Sequence, residues 1–102
     1  MGTFAAELEE SLRLLNSELL LLERAPDGPG RGESLAKLFR AAHSLKGAAR
    51  SVNQTEIELL CHQLEDKLAV LRDRGTEFNP ENISGLFADL DRIDRAAQSL
   101  KP

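Results

Sequence analysis

Four stretches of this chain carry apolar residues at alternating three- and four-residue steps, and the segments between them hold the clear helix breakers. The first runs Phe4, Leu8, Leu12, Leu15, Leu19 and Leu22. A second runs Leu35, Leu38, Ala42, Leu45, Ala49 and Val52, and a third runs Ile57, Leu60, Cys61, Leu64, Leu68 and Leu71. The last runs Ile83, Leu86, Leu90, Ile93, Ala97 and Leu100. That spacing puts one apolar stripe on each of four helices. No β-alternating run competes, so the chain is expected to be all-α, with helices at roughly 3–25, 33–52, 54–74 and 80–100. Each stripe must be buried against another, and mostly short connections join neighbours in space. The expected architecture is an antiparallel four-helix up-down-up-down bundle forming one domain over residues 1–102.

Local signals place the ends. Thr3 is a candidate N-cap for the first helix, which stops at Ala25-Pro26. The stretch Pro26-Asp27-Gly28-Pro29-Gly30-Arg31-Gly32 is rich in turn formers and has no apolar periodicity, so it is a loop. The second helix should begin at Glu33 or Ser34. The third can start at Asn53 or Thr55, because both Asn53…Glu56 and Thr55…Glu58 resemble capping arrangements. Arg72, Arg74 and Gly75 mark its end. Asn79-Pro80-Glu81 opens the fourth helix with a cap, a proline at the first helical position and an acid in the first turn.

Composition narrows the function. A chain of 102 residues holds one small core and no separate catalytic domain, which excludes a self-sufficient ATP-using enzyme. The 13 Lys+Arg and 17 Asp+Glu give a net charge of −4, and the basic residues are dispersed without interleaved aromatics, which disfavours nucleic acid. Leu19 to Leu22 is as long as any apolar run in the chain, far short of the roughly 20 residues that span a bilayer. One cysteine cannot form an internal disulfide, and Glu7, Glu9 and Glu10 precede any basic residue, unlike a secretory signal. A cytoplasmic location without membrane contact is expected.

The second helix carries more than a bundle needs. At about 100° per residue, His43 points roughly 130° from the mean of its stripe, toward solvent. Ala36, Phe39, Lys46, Gly47 and Arg50 lie on the same outer side. Gly47 costs about 1 kcal/mol relative to alanine inside a helix, although Ala48 and Ala49 follow it. Its missing side chain either clears space beside His43 for another protein or a large anion, or only loosens the end of the helix. On the third helix, His62 and Glu65 sit on the flank of the stripe. If helices two and three pack side by side, Glu65 can reach His43 and accept the Nδ1 proton. That would leave Nε2 with a free lone pair, as a nucleophilic histidine requires. Lys46, with Arg50, can balance the charge of an arriving phosphoryl group. The bland alternatives are that Lys46 and Arg50 complement the helix dipole and that Glu65 and His62 are solvated.

Ala42-His43-Ser44-Leu45-Lys46-Gly47-Ala48-Ala49 resembles the histidine phosphotransfer (HPt) motif, His-x-x-Lys-Gly followed by small residues. Together with Leu38-Phe39-Arg40-Ala41, it is most similar to the N-terminal phosphotransfer domain of CheA-type chemotaxis histidine kinases. In those domains a second histidine and a glutamate lie on the next helix, where His62 and Glu65 fall here. The resemblance implies that His43 is phosphorylated, Glu65 orients it, Lys46 stabilises the phosphoryl group and His62 is a secondary member of the network. Phe39, Gly47 and Arg50 would form the docking face. Arg50, Ser51 and Val52 replace the Gly/Phe-rich stretch common after the motif, and Asn53 stands where glycine is frequent.

On this reading the chain is a monomeric phosphocarrier in a bacterial two-component or chemotaxis phosphorelay, and no enzyme on its own. An ATP-bound kinase catalytic domain would phosphorylate His43, and the aspartate of a response-regulator receiver domain would take the group. The chain would bind no cofactor, with ATP and Mg²⁺ on the partner domains. The alternative is a degenerate domain, a helical adaptor that docks a response regulator or kinase without transfer. A metal or haem bundle is disfavoured, because Cys61 lies on the core stripe while His43 faces out, with no His pair at i,i+4 and no CxxC.

Overall fold

A computed structural model describes residues 3–25, 28–74 and 79–99. Four helices follow in order: α1 (Phe4–Arg24), α2 (Arg31–Ser51), α3 (Thr55–Arg74) and α4 (Pro80–Gln98). Helix α1 packs on α2 and α4, and α3 packs on the same two, while the backbones of the diagonal pairs stay farther apart among the described residues. This is the cyclic arrangement of an up-down-up-down bundle, about twice as long as it is wide at 41 × 22 × 20 Å. No helix among the described residues is long and apolar enough to cross a membrane.

The stripes form one continuous core. Leu8, Leu15, Leu19 and Leu22 of α1 are almost fully buried against Leu38 and Leu45 of α2, Ile57, Leu64 and Leu68 of α3, and Leu86, Leu90 and Ile93 of α4. Phe4, Phe39, Leu60, Phe87 and Ala97 are half-buried and pack around its edge. Leucine dominates because a side chain branched at Cγ and not at Cβ loses little rotamer freedom on a helix and fills an interhelical seam well. The last turns depart from the expected stripes. Val52 lies beyond the end of α2 and is 44% exposed. In α4 the buried alanine is Ala96, with Ala97 at the edge. Leu100, expected to close that stripe, lies outside the described residues, as do Pro26, Asp27 and Gly75.

The caps explain where the helices start. Thr3 Oγ1 accepts a hydrogen bond from the Ala6 N–H at 3.1 Å, and Asn79 Oδ1 accepts one from the Asn82 N–H at 2.8 Å. Pro80 occupies the first position of α4, where its missing N–H costs nothing. Helix α2 begins earlier than expected. Gly30 is its N-cap without any side-chain bond, the Ser34 N–H donates to the Gly30 carbonyl at 2.9 Å, and Arg31 and Gly32 belong to the first turn. The turn preceding it is closed by the Arg31 N–H donating to the Gly28 carbonyl. Periodicity alone missed this turn because it carries no apolar residue.

Between α2 and α3, Asn53 is not a cap of α3 at all. It adopts a left-handed backbone with φ 60°, and it terminates α2. The Asn53 N–H donates to the Arg50 carbonyl at 3.2 Å and the Gln54 N–H to the Ala49 carbonyl at 2.9 Å, the pair of bonds that defines a Schellman motif. Asparagine tolerates this conformation better than other residues with a Cβ, which is how it fills a place where glycine is frequent. Only three residues then separate the two helices. A connection that short forces α2 and α3 to lie antiparallel and adjacent, with their facing flanks in a defined register.

One ion cluster, built on a buried carboxylate, was not expected. Asp89 of α4 is almost fully buried, with Arg92 Nη1 at 2.8 Å from Oδ1 and Lys67 Nζ of α3 at 2.8 Å from Oδ2. The Arg92 contact is a hydrogen bond. The Lys67 contact is an ion pair whose geometry leaves Oδ2 without a hydrogen bond. It ties α3 to α4.

Candidate functional site

Helix α2 turns His43 away from the core, and its side chain is 66% exposed. Lys46 follows one turn later and is less exposed, at 23%, because it leans toward α3. On α3, Glu65 is one turn past the buried Cys61 and on the flank facing α2, so it is buried although charged. The antiparallel register brings the three side chains together. His43 Nδ1 lies 2.7 Å from Glu65 Oε2, and Lys46 Nζ donates to Glu65 Oε1 at 2.8 Å. One carboxylate thus accepts from an imidazole and an ammonium, one per oxygen.

The electrostatics assign the tautomer. Burial pushes the Glu65 carboxyl upward, but hydrogen bonds from Lys46 and His43, with the charges of the same two groups, outweigh it and hold the pKa below the usual carboxylate range. Glu65 is therefore ionised at neutral pH, and an ionised carboxylate only accepts. The proton of a neutral His43 ring must then sit on Nδ1, which leaves the lone pair on Nε2. The Cys61 thiol beneath is pushed up to about 12, first by burial and then by the Glu65 charge, against a smaller opposing effect of Lys46. Cys61 is a core residue in its protonated form and takes no part in the surface chemistry.

The other candidate residues fall in different places. His62 is exposed and pairs with Asp66 on its own helix, Nε2 to Oδ2 at 3.4 Å, and does not join Glu65 or His43. Gly47 is exposed, and a Cβ built on it would meet nothing within 4 Å. Arg50 is exposed on the last turn of α2. Phe39, one turn before His43, is half-buried, and its ring lies parallel to the imidazole at 7° with centroids 6.5 Å apart. Over Phe39 sits the Arg72 guanidinium, 4.5 Å from the ring centroid. Sequence reasoning took Arg72 only as a helix-end signal. The pointer to it was its spacing, two turns after Glu65 on the same flank of α3. No three His, Cys, Asp or Glu side chains group as a metal site would among the described residues.

Fold and site together define a helical bundle that presents one imidazole at its surface, backed by a buried carboxylate from the neighbouring helix. The model of one such family, the Hpt domain, matches residues 1–100, and the chain belongs to that family. It is 33% identical over 100 residues to the chemotaxis protein CheA of Bacillus subtilis, covering 98% of this chain and 14% of that protein. It is 30% identical over 93 residues to CheA of Borreliella burgdorferi, covering 91% of this chain and 10% of that protein. Among solved structures, the CheA phosphotransferase domain from Thermotoga maritima superposes with a TM-score of 0.84 at 33% identity, over 95% of this chain and 90% of that one. The chain thus corresponds to the histidine phosphotransfer domain of CheA proteins and spans about a seventh or less of the full-length relatives named here.

Proposed function

We propose that His43 is the phosphoacceptor of this domain and that Nε2 is the attacking atom. The observation that carries the reading is the 2.7 Å contact between His43 Nδ1 and an ionised, buried Glu65. It stabilises the one neutral tautomer with a lone pair on the exposed side of the ring. That lone pair attacks the γ-phosphorus of ATP held by a kinase catalytic domain. The N–P bond forms as the bond to the ADP oxygen breaks, and the positive charge that develops on the imidazole is shared with Glu65 through Nδ1–H. Lys46, already at the rim of the site, balances the dianionic phosphoryl group. In the second step the aspartate of a receiver domain takes the phosphoryl group, and Nε2 recovers its lone pair.

The chain is a carrier in this scheme and no enzyme on its own. It binds no cofactor, while ATP and Mg²⁺ belong to its partners, and it works as a monomer in the cytoplasm. The open space over Gly47 supports close approach of a partner along α2, and exposed Arg50 adds positive charge to the same face. Incubation with the catalytic domain of a CheA-type kinase and radiolabelled ATP is expected to give an acid-labile, alkali-stable label that is absent from His43→Gln. A label that survives this substitution refutes the assignment. A wild-type chain that binds kinase and receiver without taking label is a docking adaptor instead.

A further inference from the structure

Glu65 fixes only one atom of the His43 ring. A single hydrogen bond at Nδ1 leaves the imidazole plane free to turn about that bond, and a side chain 66% exposed gains little from ordinary packing. Attack on phosphorus demands more, because the Nε2 lone pair lies in the ring plane and swings with it. Misalignment of about 1 Å at a reacting atom costs as much as 100-fold in rate.

A second set of contacts supplies the missing constraint. The Phe39 ring lies parallel to His43 at 7°, and Phe39 itself is anchored at the edge of the core. The Arg72 guanidinium reaches over from α3 to sit 4.5 Å from the Phe39 centroid, where the negative face of the ring attracts a cation. Asp73 grips that guanidinium in turn, with Nε to Oδ1 at 2.8 Å and Nη2 to Oδ2 at 3.4 Å. The antiparallel register accounts for the meeting. Moving one turn back from His43 along α2 corresponds to moving toward the C-terminus of α3, from Glu65 to Arg72. Arginine suits the place, since its planar, permanently charged group lies flat on an aromatic ring in a way that lysine cannot match.

We propose that Phe39 and Arg72 are positioning residues for phosphotransfer: Phe39 sets the plane of the His43 imidazole, and Arg72 holds Phe39 in that plane from the neighbouring helix. This rests on His43 being the phosphoacceptor. Neither residue touches the phosphoryl group in this scheme, and both act through His43.

The test uses the full chain and two phosphoryl donors, the catalytic domain of a CheA-type kinase with ATP, and phosphoramidate, a small donor that needs no docking surface. His43→Gln is the control, and label persisting there overturns the phosphoacceptor reading itself, whatever Phe39 does. With label confined to His43, Phe39→Leu is expected to slow phosphorylation about tenfold with both donors. The KM for the chain as kinase substrate should stay within about twofold, since binding is not what changes. Phe39→Tyr keeps the aromatic face and restores most of the rate. Arg72→Met slows both reactions about threefold, with Arg72→Lys in between. In NMR spectra the His43 ring protons should carry a ring-current shift that Phe39→Leu abolishes and Arg72→Met reduces. A loss seen with the kinase alone makes these docking residues and overturns the proposal, and so do unchanged rates with both donors. If Phe39→Leu fails to fold, exposed Arg72 and the wild-type spectrum decide: no ring-current shift in the wild type, or no effect of Arg72→Met, overturns it.

Discussion

Replacing Glu65 by glutamine keeps the shape of the side chain and removes its charge, which separates the electrostatic role of the carboxylate from its packing. In the native site its two oxygens accept from His43 Nδ1 at 2.7 Å and from Lys46 Nζ at 2.8 Å. A glutamine offers one acceptor oxygen and one donor nitrogen. Lysine has donors only, so it takes the oxygen and turns the amide N–H group toward His43 Nδ1. A donor at that position favours the tautomer protonated on Nε2, whose lone pair is gone. A neutral hydrogen bond contributes about 1 to 1.5 kcal/mol, so about a tenth of the rings keep a free Nε2 where the native carboxylate kept nearly all. Phosphorylation in Glu65→Gln should therefore be about tenfold slower. Initial rates of label transfer from a kinase catalytic domain and ATP measure the first quantity, and ¹⁵N spectra of the imidazole at about pH 8, where the free ring is neutral, report the tautomer. A rate close to wild type with the proton still on Nδ1 would show that Glu65 does not orient His43.

Other perturbations test neighbouring parts of the site. Because the folded Glu65 pKa is depressed, the pair with Lys46 and His43 adds stability above the unfolded carboxyl value of about 4.3 and loses it as pH falls through the lower folded value. Urea midpoints of wild type and Glu65→Gln should thus differ at about pH 7 and converge as pH falls from the unfolded carboxyl value through the lower folded one, and parallel curves would remove the linkage. The Cys61 thiol, pushed up to about 12 in the core, should resist a disulfide reagent in the native chain and give one full equivalent only in denaturant. Rapid native labelling would contradict its burial. Gly47→Ala should raise the melting temperature by about 4 to 8 °C, following a helix-propensity gain of about 1 kcal/mol in a site where the new Cβ meets nothing. It should also slow transfer from the kinase while leaving phosphoramidate labelling intact. Slowing with both donors would mean that the glycine serves the shape of α2 and not the approach of a partner.

Much of the bundle was legible because a helix that buries one face must repeat its apolar residues at the helical period. Leu8, Leu15, Leu45, Leu64, Leu86 and Ile93 all sit where that period puts them. Thr3 and Asn79 were legible as caps because an unsatisfied N–H needs an oxygen three residues back. The start of α2 was not, since Gly30, Arg31 and Gly32 carry neither a side-chain cap nor an apolar residue. Asn53 misled for a different reason. Asparagine serves helix starts and left-handed helix stops alike, and the choice falls on backbone bonds to Ala49 and Arg50 that no short motif encodes. In the site, the outward direction of His43 follows from α2 alone, whereas the place of His62 in the network rests on the family resemblance. The structure pairs His62 with Asp66, because residues three apart on one helix diverge enough to face different neighbours.

The sequence by itself determined four amphipathic helices and the outward presentation of His43, Lys46 and Gly47 on one of them. Those are properties of single helices, set by a period of 3.6 residues and read without knowing any partner. Only the tertiary structure decided which side chains meet. The three-residue connection after Ser51 and the packing of α2 on α3 set the axial register between them. A shift of one helical turn in that register, about 5.4 Å, would carry Glu65 out of reach of His43 and Arg72 off Phe39. Hydrogen bonds weaken beyond about 3.2 Å, so contacts of that kind depend on a displacement that no pattern within a single helix records.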